Sequence, residues 1–303
     1  MPLRVYAYPP EGAALLRFLD DAPLYRIGRG ADCAIRIEHT SISRQHAELR
    51  CTDSVWSVSD SGSKNGIRVD GKRVSHIELR KPAWCAIGDV YCRLEPLSAA
   101  DAAAARAQNE TRRSVSRSLS AGLNLDRGID PLLTRTLAAV LELCGLERGF
   151  VLYGESADSL RVRARHALDE SDLTRAGFAG SAGAVQRALH DRRSVICGDV
   201  GAAPWLGARP SVQLAGLRAL VCVPMLVERK LFGVVYADSR KPGPPLTELD
   251  QEMIESIAQQ AATALSAAQL RDDMEELFAA SAALGAQAPR WEDVRRAHAL
   301  GPT

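Results

Sequence analysis

Residues 27–66 read IGRGADCAIRIEHTSISRQHAELRCTDSVWSVSDSGSKNG, and this stretch decides the first half of the fold. Three polar clusters, Ile27-Gly28-Arg29, Ser43-Arg44-Gln45-His46 and Ser63-Lys64-Asn65-Gly66, break up runs with the texture of β-strands. Ala34–Glu38 (AIRIE), His46–Arg50 (HAELR), Val55–Ser59 (VWSVS) and Ile67–Asp70 (IRVD) are short, and apolar and polar residues alternate in several of them. Asp-Ser-Gly-Ser, Asn-Gly and Asp-Gly punctuate them as turns. Closely spaced strands of this kind predict an antiparallel sandwich or barrel over residues 1–97, closed by Pro96 and the Ala/Ser-rich stretch after it.

The three clusters share a chemistry. Loops at strand ends gather at one edge of a sandwich and can converge on one ligand. Arg supplies a planar fork of donors, and a Ser hydroxyl and exposed backbone N–H groups add more, a set suited to phosphate. A phosphothreonine carries about −1.5 to −2 charges, so two or three such donors hold it without large-scale basicity. Gly28 and Gly66 read as backbone devices for close approach or positive φ. His46 has no nucleophile beside it and reads as a hydrogen-bonding brace between loops.

Gly-Arg, Ser-Arg-Gln-His and Ser-Lys-Asn-Gly in this order, followed by Leu79 and Ile87-Gly88-Asp89, resemble the forkhead-associated (FHA) domain over about residues 3–97. The resemblance implies an eleven-stranded β-sandwich that prefers phosphothreonine to phosphoserine. It implies that Arg29 and Ser43 hold the phosphate and Asn65 fixes the peptide backbone. Arg44 and Lys64 fall where the family varies its flanking contacts. The implied partner is a phosphothreonine-containing protein, and hence one linked to a Ser/Thr kinase.

Beyond Pro96 the texture changes. Residues 98–120 are Ala-rich with no Gly or Pro until Gly122, which predicts a helical linker. Asp130-Pro131 reads as an N-cap followed by Pro at the first helical position, ahead of the stripe Leu133, Leu137, Val140, Leu141 and Cys144. Strands are expected at Phe150–Tyr153, Leu160–His166, Ser194–Cys197, Ala219–Met225 and Phe232–Ala237, with a short helix over Gly183–Asp191. The Arg/Val/Ala alternation of 161–165 leaves one face of its strand wet. Together these predict an α+β domain with an antiparallel sheet. Thr247-Glu248-Leu249-Asp250 has capping-box spacing, and the next Gly is Gly285, so a helix of roughly 37 residues, about 55 Å long, is expected. Leu270, Leu277 and Leu284 recur at heptad steps, which points to a homodimer through the flanking helices.

This second unit, over about residues 121–270, resembles a GAF domain. The resemblance rests on DPLLTRTLAAVLELCG, ERGFVLYG, Gly216–Met225, Lys230–Asp238 and LTELDQEMIESIAQQAATAL. These are packing signatures. The family binds cyclic nucleotides, tetrapyrroles, other small molecules or nothing, and neither the cyclic-nucleotide signature nor a bilin-anchoring Cys-His pair is present. No cofactor is expected beyond an unidentified small molecule, for which Trp205, Cys222 and Tyr236 are the candidate pocket residues. Residues 271–303 are expected to form a helical tail with a break at Pro289, a break that lies outside the residues the structure describes.

Composition bounds the rest. Lys+Arg 38 against Asp+Glu 37 gives +1, so no basic face of the size that grips nucleic acid is expected. The amino terminus lacks a signal-peptide core, and the longest strongly apolar run, Ala219–Val227, is far short of the ~20 residues a membrane helix needs. Seven cysteines without a Cys-x-x-Cys pair read as free thiols of a soluble cytoplasmic protein. Glu110-Thr111-Arg112-Arg113-Ser114 resembles a basophilic kinase site, and its physical reading is a solvated helix face. No Gly-x-Ser-x-Gly or metal cluster stands out in favour of catalysis, and the two resemblances imply a non-catalytic bacterial signalling adaptor. Two alternatives stand beside it. The order of domains resembles the sensory half of bacterial enhancer-binding regulators, but with no G-x-x-x-x-G-K-[ST] loop a transcriptional role would be indirect. The other is a GAF-type enzyme.

Overall fold

The computed structural model describes residues 1–20, 22, 24–123, 128–154, 159–169, 171, 173, 181–198, 216–287, 292 and 296. Among these, eleven strands lie between Leu3 and Pro96: β1 (Leu3–Tyr8), β2 (Leu15–Leu19), β3 (Tyr25–Gly28), β4 (Ile35–Arg36), β5 (Ala47–Thr52), β6 (Val55–Asp60), β7 (Ile67–Val69), β8 (Lys72–Val74), β9 (His76–Leu79), β10 (Ala83–Ile87) and β11 (Val90–Pro96). They form two sheets, in the orders β2-β1-β11-β10-β7-β8 and β4-β3-β5-β6-β9. Pairing is antiparallel except between β3 and β4. Period-two alternation explains the sandwich: Leu3, Val5 and Ala7 of β1, Trp56 and Val58 of β6, and Cys92 and Leu94 of β11 turn into one core. Each fully buried Leu or Ile there contributes roughly 1.5–3 kcal/mol. The Trp56 indole N–H donates to Met1 O at 2.6 Å, so the one large polar aromatic in this core is satisfied.

Helix α1 (Ala99–Ala121) starts at Ser98, whose hydroxyl accepts from Asp101 N at 3.0 Å. Helix α2 spans Ile129–Cys144. Its start corrects the expectation for Asp130: Gly128 precedes the helix, and Asp130 lies in the first turn, where its carboxylate takes Arg163 at 2.9 Å. A distant cation outcompetes the local cap. Next come β12 (Arg148–Tyr153), β13 (Arg161–His166), α3 (Ala182–Asp191), β14 (Val195–Cys197), β15 (Ala219–Val227), β16 (Lys230–Ser239) and α4 (Glu248–Gln287). The sheet order is β13-β12-β16-β15-β14, all antiparallel. One face packs Val221, Val223 and Val235 against Leu133 and Leu137 of α2 and Ile254 and Ile257 of α4. The other packs Phe150, Cys222, Val234 and Tyr236 with Ala184 and Ala188 of α3.

Asp250 closes the expected capping box, accepting from Thr247 N at 2.6 Å and from the Thr247 hydroxyl at 2.7 Å. Helix α4 does not stop at Gly285 but runs through Gln287. A single glycine costs a helix about 1 kcal/mol, too little to end one unaided. Of the Thr111 segment, Arg112 is not merely solvated: its guanidinium bonds Leu143 O at 2.9 Å and pairs with the buried Asp250 carboxylate. Thr111 itself is exposed, its hydroxyl donating to Ala107 O at 3.0 Å.

The two domains are joined by more than the linker. The β1–β2 connection reaches the second domain, where Ala14 N donates to Leu246 O (2.7 Å) and Glu248 N donates to Ala14 O (3.0 Å). Ala14 thereby satisfies one of the orphan N–H groups at the start of α4. Ala13 is buried in the core between the sheet and helices α2 and α4. Among the described residues no helix is long and apolar enough to cross a membrane.

Candidate functional site

The three polar clusters meet at one end of the sandwich because short backbone bonds tie them together. Arg29 N donates to Ser43 O and Gly30 N to Arg44 O, both at 3.0 Å, so the loop after β3 lies along the loop before β5. This approach needs glycine at 28: a Cβ there would stand 2.1 Å from Arg44 O and 2.8 Å from Cys33 Sγ. Gln45 donates from its amide to Asp32 at 2.9 Å, pinning the same loop and holding the Asp32 carboxyl below its usual range. In the third cluster, Gly66 adopts φ +72°, a left-handed conformation that glycine accepts without strain.

His46 locks the second cluster to the third. Its Nδ1 accepts from Ser43 N at 3.1 Å, which places the proton on Nε2, and Nε2 donates to Gly66 O at 3.1 Å. The ring is fully buried, and that burial keeps its pKa below the ordinary histidine value, so it is a neutral brace. Ser63 completes the third loop: its hydroxyl donates to Asp60 at 2.5 Å and accepts from Gly66 N at 2.9 Å.

On this scaffold the predicted residues converge. Ser43 Oγ accepts from Lys64 N at 3.2 Å, which leaves its own O–H to donate outward. Asn65 Nδ2 donates to Ser41 O at 2.8 Å, which orients the amide and leaves its carbonyl oxygen to accept. The side chains of Arg29, Arg44 and Lys64 are exposed and enter no ion pair or hydrogen bond within the described protein. Beside Arg29 lies an open depression of about 460 Å³ bounded by Arg36, Glu38, His39 and Thr40. The arrangement offers an anion a guanidinium fork, an ammonium and a hydroxyl donor over a rigid floor.

One organising residue left no signal in the sequence. Ser41 is buried; its hydroxyl accepts from Asp89 N at 2.8 Å and bonds His39 Nδ1 at 2.8 Å, while its carbonyl holds Asn65. It ties the turn after β10 to the loops, a contact spanning 48 residues.

In the second domain, Trp205 lies outside the described residues. Cys222 and Tyr236 are brought together as cross-strand partners, but as core: both are fully buried, and Tyr236 stacks on Phe150 with centroids 5.0 Å apart. The Tyr236 hydroxyl donates to Asp238 at 2.7 Å and accepts from Ser181 N at 3.0 Å, and Arg148 Nε donates to Asp238 at 2.6 Å. Burial pushes the Cys222 thiol up, consistent with an inert core residue.

Comparison with known proteins agrees with this division. The family model for the FHA domain matches residues 25–88, and that for the GAF domain matches residues 128–265. Over 72 residues the chain is 38% identical to an oxoglutarate dehydrogenase inhibitor of Corynebacterium diphtheriae, covering 20% of this chain and 50% of that protein. Over 80 residues it is 37% identical to the glycogen accumulation regulator GarA of Mycolicibacterium smegmatis, covering 23% of this chain and 51% of that protein. The chain thus spans about half the length of the curated relatives it matches. A solved GAF domain from a phosphoenolpyruvate-protein phosphotransferase of Coxiella burnetii aligns over 55% of this chain and 98% of that one, at 11% identity and a TM-score of 0.44. The chain carries an FHA domain followed by a GAF domain.

Proposed function

We propose that the protein is a non-catalytic signalling adaptor that captures phosphothreonine-containing proteins, the products of a Ser/Thr kinase, in its FHA loops. Arg29 and the Ser43 hydroxyl take the phosphate, Asn65 takes a peptide N–H with its free carbonyl oxygen, and Arg44 and Lys64 meet the flanking residues. The observation that carries this reading is the set of unpaired cations, Arg29, Arg44 and Lys64, held over loops that His46 and Ser41 lock by hydrogen bonds. Preorganised donors of this kind bind a dianion without paying for loop ordering at the moment of capture. The names of the relatives, a regulator and an enzyme inhibitor, fit an output exerted by binding. The free cysteines fit a reducing cytoplasm.

The GAF domain serves in this reading as a dimerisation unit that needs no cofactor. Support comes from α4, where Leu270, Met274, Leu277 and Phe278 are 47–71% exposed along one stripe at heptad-like spacing. A second copy covers such a stripe. Light scattering of the full chain is expected to give twice the protomer mass, and Leu277→Asp to shift it to the monomer. A monomer across micromolar concentrations would remove this part of the proposal.

The phosphate reading is tested by fluorescence anisotropy with a degenerate phosphothreonine peptide library, alongside phosphoserine and unphosphorylated controls. Binding is expected to require the phosphate and to weaken about 10- to 100-fold in Arg29→Ala, the effect of losing a charge-assisted hydrogen bond. Equal binding by the folded Arg29→Ala chain, or none by the wild type, would refute it.

A further inference from the structure

Charge is spread unevenly over the FHA loops. The carboxylates on these loops and on the turn that braces them are Asp32, Glu38, Asp60 and Asp89, and each has an arginine near it. Glu38 pairs with Arg36 at 2.7 Å and Asp89 with Arg68 at 3.0 Å. Asp60 lies 3.9 Å from Arg73 and accepts from the Ser63 hydroxyl. Asp32 accepts from the Gln45 amide, and that bond, helped by the Arg26 charge, holds its carboxyl below the usual range. Arg29, Arg44 and Lys64 have no such counterpart within the described protein.

These three cations are attached around one point. Ser43 O accepts from Arg29 N at 3.0 Å, Ser43 Oγ accepts from Lys64 N at 3.2 Å, and Arg44 is the next residue. All three side chains are exposed, and each starts beside the hydroxyl that is left to donate outward. Like charges gathered in this way repel one another until an anion arrives. A phosphothreonine brings about −1.5 to −2 charges, so roughly one positive charge stays uncompensated after the phosphate is seated. The surplus falls to Arg44 and Lys64 once Arg29 and Ser43 hold the phosphate.

We propose that the site selects phosphothreonines set among acidic residues, with Arg44 and Lys64 taking carboxylates of the flanking peptide. This rests on the phosphothreonine reading of the loops and adds the class of ligand. A guanidinium and an ammonium are donors only, so both call for acceptors, and a carboxylate supplies acceptors and charge together. A Lys or Arg in the peptide meets the reverse: repulsion from the surplus, and loop carboxylates that already have cations beside them. The kinase that supplies the ligand must therefore modify threonine in acidic surroundings. Thr111 of this chain falls outside the class. Arg112 and Arg113 follow it, and its hydroxyl donates to Ala107 O at 3.0 Å inside helix α1, where the backbone is not extended.

The test is fluorescence anisotropy of the full chain with peptides of equal length, each carrying one central phosphothreonine. Their flanks are Asp/Glu, Ala/Ser, Lys/Arg, or Ala/Ser with a second phosphothreonine. The acidic peptide is expected to bind about 3- to 10-fold more tightly than the neutral one, the effect of one or two exposed charge pairs, and the basic peptide more weakly than either. The gap should close as salt rises from about 0.05 M to about 0.5 M. In Arg44→Gln/Lys64→Gln the ratio of acidic to neutral affinity should fall to unity, and in Arg44→Glu/Lys64→Glu it should invert. A merely structural role would weaken every peptide alike and leave the ratio where it was. Equal binding of the acidic and neutral peptides by the wild type, or an unchanged ratio in the folded double variants, would overturn the proposal and leave phosphothreonine capture standing. Tightening by the second phosphate alone would overturn the carboxylate assignment. Binding of no phosphopeptide would sink both readings.

Discussion

Replacing His46 probes how the FHA loops are held. The ring is fully buried, accepts from Ser43 N and reaches Gly66 O, 20 residues further along the sequence. In His46→Ala both hydrogen bonds go, at roughly 1 kcal/mol each, and the partner groups lose their partners in a site that water reaches poorly, at roughly 1–3 kcal/mol for the more buried one. Gly66 O still receives Gly88 N at 3.1 Å, so the larger share falls on Ser43 N. The expected cost is about 2–4 kcal/mol, which for a sandwich of this size lowers its melting temperature by at least about 8 °C. His46→Gln separates geometry from titration, because an amide can accept from Ser43 N and donate to Gly66 O but carries no proton equilibrium. The wild-type imidazole has a folded pKa below its ordinary value. The unfolded chain therefore binds the extra proton first, and stability is full above about pH 6.5 and falls as pH drops toward the folded value. Calorimetry between about pH 7.5 and about pH 5.5 should show this loss in the wild type and a smaller one in His46→Gln. A His46→Ala chain melting within about 2 °C of wild type, or a His46→Gln chain with the full wild-type pH dependence, would refute the bracing argument.

Three other outcomes follow from named contacts. Asp238→Ala leaves Arg148 buried without its carboxylate and should destabilise the GAF domain by roughly 3–5 kcal/mol in chemical denaturation; a loss below about 1 kcal/mol would contradict the pairing. Gly28→Ala drives a methyl into Arg44 O and should cost about 1–3 kcal/mol together with phosphopeptide affinity, read by thermal melting and anisotropy on the same sample. Maleimide labelling of the native chain near pH 8, mapped by mass spectrometry, should reach the half-buried Cys51 first. Cys85 and Cys144, whose burial pushes their thiols up to about 12, should be labelled only after denaturation.

Much of the architecture was legible because it depends on neighbours in sequence. Alternation in AIRIE, HAELR and VWSVS marks strands, since a residue's face follows from its parity. Thr247 and Asp250, three residues apart, were readable as a cap because a helical turn brings them together whatever surrounds it. The polar clusters were readable as one site because each lies at a strand end, and strand ends of a sandwich share an edge. Asp130 was misassigned for the complementary reason: its local role as a cap lost to Arg163, which only strand β13 delivers.

The sequence alone thus marked several of the strands and helices, the polar loops whose residue types suit an anion, and cysteines that form no paired motif. Each of these follows from side-chain chemistry and contacts within a few residues. Only the tertiary structure decided that His46 joins two loops, that Ser41 anchors Asn65 and Asp89, and that Ala13 of one domain is buried with the core of the other. It likewise decided that Tyr236 is held in the core by Asp238, Ser181 and Phe150, and that Tyr6, Tyr8, Phe18, Trp84 and Tyr91 share one sheet face. Those arrangements depend on strand order and register between segments tens of residues apart. For the strand residues among them, a one-residue shift of register would turn the side chain to the opposite face.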